Sequence, residues 1–427
     1  MTLLEQLNAP YRYDRLKALK QLEELSAQNN DGYKNKAFVN NHIHTIYSFS
    51  PYSPTAAVYY AKKAGLITAG IMDHDTISGC KEFIEASKIA NFPVTCGFEA
   101  RVLADNTNLF GKRINNPDQK SIIYVAAHGI PHQNIDKCNT FLAPFRAKRD
   151  IRNKKMIENL NNILTPFDIK LKDVYSTENQ DKGTITERHI MNEMAKALIE
   201  KFGKSIKIVD FLKDNFDILM PDKIKNYLEN EDNEHYVYDL TGILKSRFLP
   251  KIYINATDEC PTVFEFIDFT NSIGAISAYA YLGDVTLSVT GDKQPQKYED
   301  DYLELLFTEL VNLGFKAVTY MPSRNSKEQL KRIMYLCKKH NLLEISGEDI
   351  NNSRQSFICK EILSPEYNHL VSSTFALIGH EYLSSVNQGD GMFAQKAIYL
   401  YKDLKKRIEH FEMEGNNLIY NKMIYPK

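Results

Sequence analysis

No apolar run in this sequence reaches the roughly 18–20 residues that a membrane-spanning helix needs. Paired cysteines are also missing. The six cysteines (Cys80, Cys96, Cys138, Cys260, Cys337 and Cys359) are scattered with no CxxC. That usage argues against a disulfide framework and fits a reducing, cytoplasmic setting. Charge of one sign is not in excess. The net charge is −1, so no global field draws the chain to nucleic acid, and no nucleic-acid recognition motif is visible. The N-terminus, MTLLEQLNAPYRYDRLKALKQLEELSAQ, carries charges throughout and lacks the basic-then-apolar layout of a secretory signal. There is no internal repeat and no low-complexity tract. What is present is a 427-residue chain with an ordinary 43% hydrophobic content, enough for one large domain or two.

Residues 1–36 read as a helix followed by a polar break at AQNNDGYKN, with Leu16, Leu19, Leu22 and Leu25 forming one stripe. This segment reads as a packing appendage without chemistry. From residue 37 strands and helices alternate. Strands are predicted over 37–41, 67–72, 94–102, 121–127, 275–279, 316–320 and 342–345. Helices are predicted over 54–64, 78–91, 262–272, 302–313 and 327–340, with Pro54 near a first helical position. Residues 141–250 interrupt the rhythm with patterns such as RAKRDIRNKKMIENLNNIL and TERHIMNEMAKALIEKF. They read as a mainly helical insertion between barrel parts 37–140 and 251–380. A helical tail over 381–427, containing AQKAIYLYKDLKKRIEHFEME, is expected on the outside. The alternation implies an α/β fold with a parallel sheet or barrel of about seven units.

Each early strand runs into a histidine or an acid. His42 and His44 are two apart and so share a face of a strand. Asp73 and His74 follow the second strand, Glu99 lies on the third, His128 ends the fourth, and Asp349 follows the last. Barrels collect chemistry at the C-terminal ends of their strands. Imidazole and carboxylate donors suit Zn, Mn and Fe, and a carboxylate such as Glu99 can bridge two ions. Alternatives stand beside these readings. Asp73 also fits a helix N-cap or a partner that orients a histidine. His128 precedes Gly129 and Pro131 and also fits an ordinary turn.

The ordered strings HIHT-x-x-S, DHDTISG, GFEAR, an isolated histidine and SGEDIN resemble the PHP (polymerase and histidinol phosphatase) superfamily, over roughly residues 37–140 and 255–355. The resemblance implies a distorted seven-stranded (β/α)7 TIM-like barrel, a metal site at the strand C-termini, and hydrolysis of phosphate esters. RAKRDIRNKK and TITERHIMNEMAKAL resemble the helical insert of PHP phosphoesterases that act on nucleotides and small nucleic-acid fragments, where the insert supplies basic groups to the substrate phosphate. Arg188 and His189 match its Arg-His element. Arg149 and Arg152, three apart on a helix, share a face and could grip phosphate, or could form a solvated basic face. Arg324 and Arg354, in loops after strand ends, are weaker candidates for the same role.

The chain departs from the family pattern at three places. Phe49 follows the motif serine Ser48 where an acid is common. The late strand reads AISAYAYLGD instead of ending in Ala-His-Pro, which places Tyr279 or Tyr281 near the lost ligand. The last motif ends in Asn351 instead of histidine. Glu348 or Asp284 could compensate. These losses leave one or two divalent ions of Mn, Zn or Fe. The leading expectation is a phosphoesterase using a metal-activated water on a small phosphorylated substrate, with Arg188 offsetting developing charge. His74 or His128, if not ligating, would protonate the leaving oxygen. The alternatives are a catalytically reduced ligand-binding or regulatory module and a metal-dependent hydrolase of a non-phosphate bond such as an amide.

Overall fold

A computed structural model describes residues 2–28, 38–175, 183–284 and 298–420. Two helices, α1 (Leu3–Gln6) and α2 (Arg12–Gln28), precede the first strand. Of the leucine stripe, Leu19 is buried and Leu25 is exposed. Arg15 on α2 is fully buried and forks onto Glu82 at 2.5 and 2.8 Å, pinning the segment to the barrel. Most of the predicted linker, and residue 37, lie outside the described residues.

The barrel then begins with β1 (Phe38–Ile43), α3 (Pro54–Ala64), β2 (Leu66–His74), α4 (Cys80–Ala90), β3 (Val94–Leu103) and β4 (Ile122–His128). A block of helices follows: α5 (Ile135–Leu164), α6 (Glu187–Phe202), α7 (Ile206–Phe216), α8 (Asp222–Glu229) and α9 (Tyr236–Ile252). The barrel is completed by α10 (Val263–Ile273), β5 (Ile276–Ala280), α11 (Leu303–Leu313), β6 (Ala317–Tyr320), α12 (Lys327–His340) and β7 (Leu343–Ser346). The chain continues through α13 (Asn368–Val386), α14 (Gln395–Leu400) and α15 (Leu404–Tyr420). The strands form one sheet in sequence order. A parallel bridge between Ile43 and Ile350 nearly closes it into a barrel. This is the seven-stranded α/β barrel with a helical region that the strand–helix alternation implied.

One expectation is corrected. The alternation implied strands all running the same way, but β4 is antiparallel to both β3 and β5. No helix separates β3 from β4, and only a crossover element forces neighbouring strands to be parallel. His128, at the C-terminal end of β4, therefore lies level with Ile276 at the start of β5.

Inward-facing residues of the strand starts, including Ile276, Ala317 and Leu343, pack with Ala376 and Leu377 of α13 and with Phe411 of α15. Those helices close the end of the barrel opposite the mouth. The backbones of α13 and α15 touch where they cross: a Cβ on Gly379 would lie 2.2 Å from the Phe411 carbonyl oxygen. The predicted single tail helix is two. The chain breaks after Leu400, and the Asp403 side chain caps α15 by accepting from Lys406 N–H at 3.2 Å. A second hydrophobic core, from Met156 and Leu160 of α5 to Phe248 and Ile252 of α9, sits wholly within the helical block. Among the described residues no helix is long and apolar enough to cross a membrane.

Candidate metal centre

The bridge that nearly closes the barrel also assembles the site. His44 N–H donates to the Ile350 carbonyl at 3.0 Å, and Ile350 N–H donates to the His42 carbonyl at 3.1 Å. This zipper sets Asp349 beside the two histidines. The Nε2 atoms of His42 and His44 lie 3.2 Å apart, and Asp349 Oδ1 is 3.1 Å from His44 Nε2. On the other side, His74 and Glu99 are paired across β2 and β3. Glu99 Oε2 lies 2.9 Å from His74 Nδ1, 3.7 Å from His42 Nε2 and 4.0 Å from His44 Nε2. Metal–ligand bonds of about 2.0–2.2 Å place neighbouring donors roughly 3–3.6 Å apart, which these spacings approach. His42, His44 and Asp349 form one donor group, and His44, His74 and Glu99 another.

The charges in this buried cluster are interdependent. Burial works against ionising Glu99, but His74 and His42 hold its carboxyl well below the usual range. Burial likewise opposes the charge on Asp349, and His44 overrides it, holding that carboxyl low too. Burial lowers the His44 pKa, and its neighbour His74 adds to that. His42 moves the other way: burial disfavours its charge, but contact with Glu99 raises its pKa overall.

Asp73 does not join the donors. Its carboxylate accepts from Thr45 N–H at 2.7 Å, Thr45 Oγ1 at 2.6 Å and Ser48 Oγ at 2.5 Å. Ser48 Oγ thus spends its proton on Asp73 and accepts from His44 Nδ1 at 3.1 Å. The chain Asp73–Ser48–His44 fixes the tautomer that turns a lone pair of Nε2 into the cluster. Of the alternatives left open for Asp73, this is the orienting partner.

His128 reaches the region from the closed end of the barrel, because β4 runs backwards. Burial, and after it His42, push its pKa down to about 3. Its buried Nε2 has no hydrogen-bond partner among the described residues. Tyr124, not His128, is the β4 residue whose ring approaches His74, at 6.1 Å. On β5 the register also corrects the placement of the tyrosines. Ala278 faces the barrel interior, so Tyr279 and Tyr281 face out, where they donate to Glu299 at 2.5 Å and Asp300 at 2.6 Å. Neither takes the place of the missing histidine. Asp284 is occupied by the N–H groups of Tyr298 and Glu299, and Glu348 Oε2 accepts from Ser323 Oγ.

Among the basic candidates, Arg188 on α6 contacts the site: its Nη1 donates to Asn351 Oδ1 at 2.9 Å, and Asn351 Nδ2 donates to Asp349 Oδ1 at 2.6 Å. His189 caps its own helix, with Nδ1 accepting from Thr186 N–H at 3.0 Å, and its ring meets Phe49 edge-on at 5.2 Å. Burial, then Arg149, lowers its pKa to about 3. Arg149 and Arg152 are buried and paired. Arg149 binds Asp75 and Glu187, and Arg152 binds Glu187 and Glu259. They join the helical block to the barrel and do not line its mouth as free cations. Arg354 forks onto Asp239 at 2.6 and 2.8 Å and lies 3.8 Å over the Tyr227 ring. Arg324 sits in the turn after β6, and its buried Nε has no hydrogen-bond partner among the described residues. Sequence reasoning missed Asp75, Arg101, Glu187 and Glu259, which complete the ionic joint. Asp75, Arg101 and Glu187 lie inside the strings DHD, GFEAR and TERHI, but nothing local marks their partners.

No family model and no curated protein matches this chain. Solved structures do share its fold. One is a protein from Bifidobacterium adolescentis provisionally assigned as a metal-dependent phosphoesterase, 19% identical, with a TM-score of 0.50 over 78% of this chain and 96% of that one. Another is an amidohydrolase from Chromobacterium violaceum with bound sulfate and no metal, 14% identical, with a TM-score of 0.52 over the same shares.

Proposed function

We propose that this chain is a metal-dependent phosphoesterase acting on a small phosphate ester. The observation that carries this reading is the converging donor set His42, His44, His74, Glu99 and Asp349, with Arg188 tethered beside it through Asn351. The donors fit a metal by their chemistry: nitrogen and carboxylate oxygen without sulfur suit Mn, Zn or Fe. The unpartnered buried Nε2 of His128 fits it as well. His44 has one lone pair to offer, so one ion would take His42, His44 and Asp349, and a second would draw on Glu99, His74 and His128. An ion bound there supplies Lewis acidity, lowering the pKa of a water and offsetting negative charge.

The protein's own groups supply the rest. Arg188, anchored on Asn351, presents a guanidinium edge to phosphate oxygens. Whichever of His74 and His128 stays off the ion can hold the proton for the leaving oxygen. His74, partly exposed, is better placed than the fully buried His128.

The test is hydrolysis of a panel of phosphomonoesters with Mn, Zn or Fe, in the wild type and in His44→Ala and Glu99→Ala. Activity lost in both variants supports the reading; full activity in both overturns it. Hydrolysis of an amide is a second reading, favoured by the likeness in fold to the amidohydrolase. Competitive inhibition by inorganic phosphate separates the two.

A further inference from the structure

At the closed end of the barrel, behind β3, a second group of donors comes together from distant parts of the chain. Cys96 lies on β3, His132 follows β4 in a short helical turn (His132–Asn134), and Glu381 lies on α13. One donor atom from each lies within 4.8 Å of the other two. We propose that Cys96, His132 and Glu381 form a second metal site, for a zinc-class ion, that clamps α13 onto the barrel. It is separate from the centre at the mouth: Cys96 is an odd number of residues before Glu99 on the same strand and faces the opposite side of the sheet. It therefore holds whether or not the chain hydrolyses phosphate esters.

The donor chemistry selects the ion. Sulfur, imidazole nitrogen and carboxylate oxygen together suit zinc, whereas the mouth offers no sulfur. Cys96 and Glu381 are buried, and the His132 side chain is 19% exposed, which leaves one approach from solvent. A surface cleft lined by Pro93, Val94, Tyr382 and Glu381 itself adjoins the group. Glu381 is already oriented: Oε2 accepts from Cys96 N–H at 2.7 Å, and Oε1 lies 2.9 Å from His132 Nε2. The thiol of Cys80 lies against that of Cys96.

The experiment is cobalt loading of the full chain after chelator treatment, read by the near-ultraviolet charge-transfer band between a thiolate and cobalt. The mouth cannot give this band, because it holds no thiol. The band is expected in the wild type and in His42→Ala/His44→Ala, and absent in Cys96→Ser. Elemental analysis of zinc-loaded protein should show one fewer ion in Cys96→Ser and in His132→Gln than in the wild type. Wild-type protein that shows no thiolate band, or a band that survives Cys96→Ser, overturns the proposal. If Cys96→Ser does not fold, the wild type and His42→Ala/His44→Ala still decide it, since the band must appear in both.

Discussion

Glu187 on α6 is the residue whose loss should most disturb the joint between the helical block and the barrel. It binds both Arg149 and Arg152, and Arg101 Nη1 lies 3.9 Å away. The remaining anions of the joint are Asp75, paired with Arg149, and Glu259, paired with Arg101 at 2.5 Å and Arg152 at 2.7 Å. Three guanidinium groups thus face three carboxylates, nearly all out of water. Glu187→Gln keeps the shape and leaves three cations against two anions. Breaking a buried pair in this way costs about 3–5 kcal/mol, because an uncompensated charge stays behind. That is roughly a hundredfold or more in the folded-to-unfolded ratio. Burial opposes its ionisation, but the arginines hold the Glu187 carboxyl well below the usual range. The stability it contributes is therefore present above the unfolded carboxyl pKa and lost as pH falls below it. Denaturant titration of the wild type and Glu187→Gln at neutral pH, repeated at acid pH where the difference should shrink, measures both effects. The exposed pair Lys172–Glu200 provides a control, since Glu200→Gln should leave the midpoint unchanged. A loss below about 1 kcal/mol in Glu187→Gln would show that these arginines are not held as an ionic joint.

Two other outcomes are expected. Ser48→Ala removes the acceptor that fixes the His44 tautomer and should weaken metal binding about 10–100-fold with little change in fold; calorimetric titration with zinc or manganese measures it, and unchanged affinity would sink the relay from Asp73. His380, buried on α13, binds the Gly129 carbonyl through Nε2 and accepts from Met392 N–H through Nδ1, and burial lowers its pKa to about 4. The unfolded chain takes up its proton first, so stability is intact above about pH 6.5 and falls by up to about 3 kcal/mol as pH drops toward 4. His380→Gln should flatten that part of the pH–stability curve, and identical curves would refute the assignment.

The alternation of strands and helices, and the histidines and acids that follow the strands, were legible because both are local. A two-residue spacing puts His42 and His44 on one side, and each motif follows directly on an apolar run. The direction of β4 was not legible, since nothing in 104–121 distinguishes a return from a crossover except the absence of a helix. That single reversal moves His128 to the closed end and lets Tyr124 approach His74. Partnerships across long separations were equally hidden. Arg149 and Arg152 have the spacing of a phosphate-gripping face, but what they meet is fixed by Asp75, Glu187 and Glu259, residues that only the fold brings near. Helix α13 escaped notice because it is apolar on several sides: it touches the barrel interior and α15 at once, which erases the one-sided stripe that reveals a surface helix.

Two of the three departures from the pattern that the sequence resembles, Phe49 and Asn351, fall where the helical block meets the barrel. Phe49 holds a positive φ of 89°, a costly conformation for a bulky residue, and its ring packs against His189 of α6 and lies 5.9 Å from Tyr238 of α9. Asn351 links Arg188 of α6 to Asp349. At both positions a group that could have held a metal is replaced by one that holds the helical block. In the proposed reading, positive charge lost with an ion is partly restored by Arg188, which Asn351 steadies at the mouth. A histidine at position 351 would bind metal better, but with one ring nitrogen on an ion it would have only the other left, and could not at once accept from a guanidinium and donate to Asp349 as the Asn351 amide does. In the proposed reading these departures are compatible with turnover: fewer ions would be joined by a fixed guanidinium, and activity should depend on Arg188 through its fork geometry, which lysine cannot reproduce.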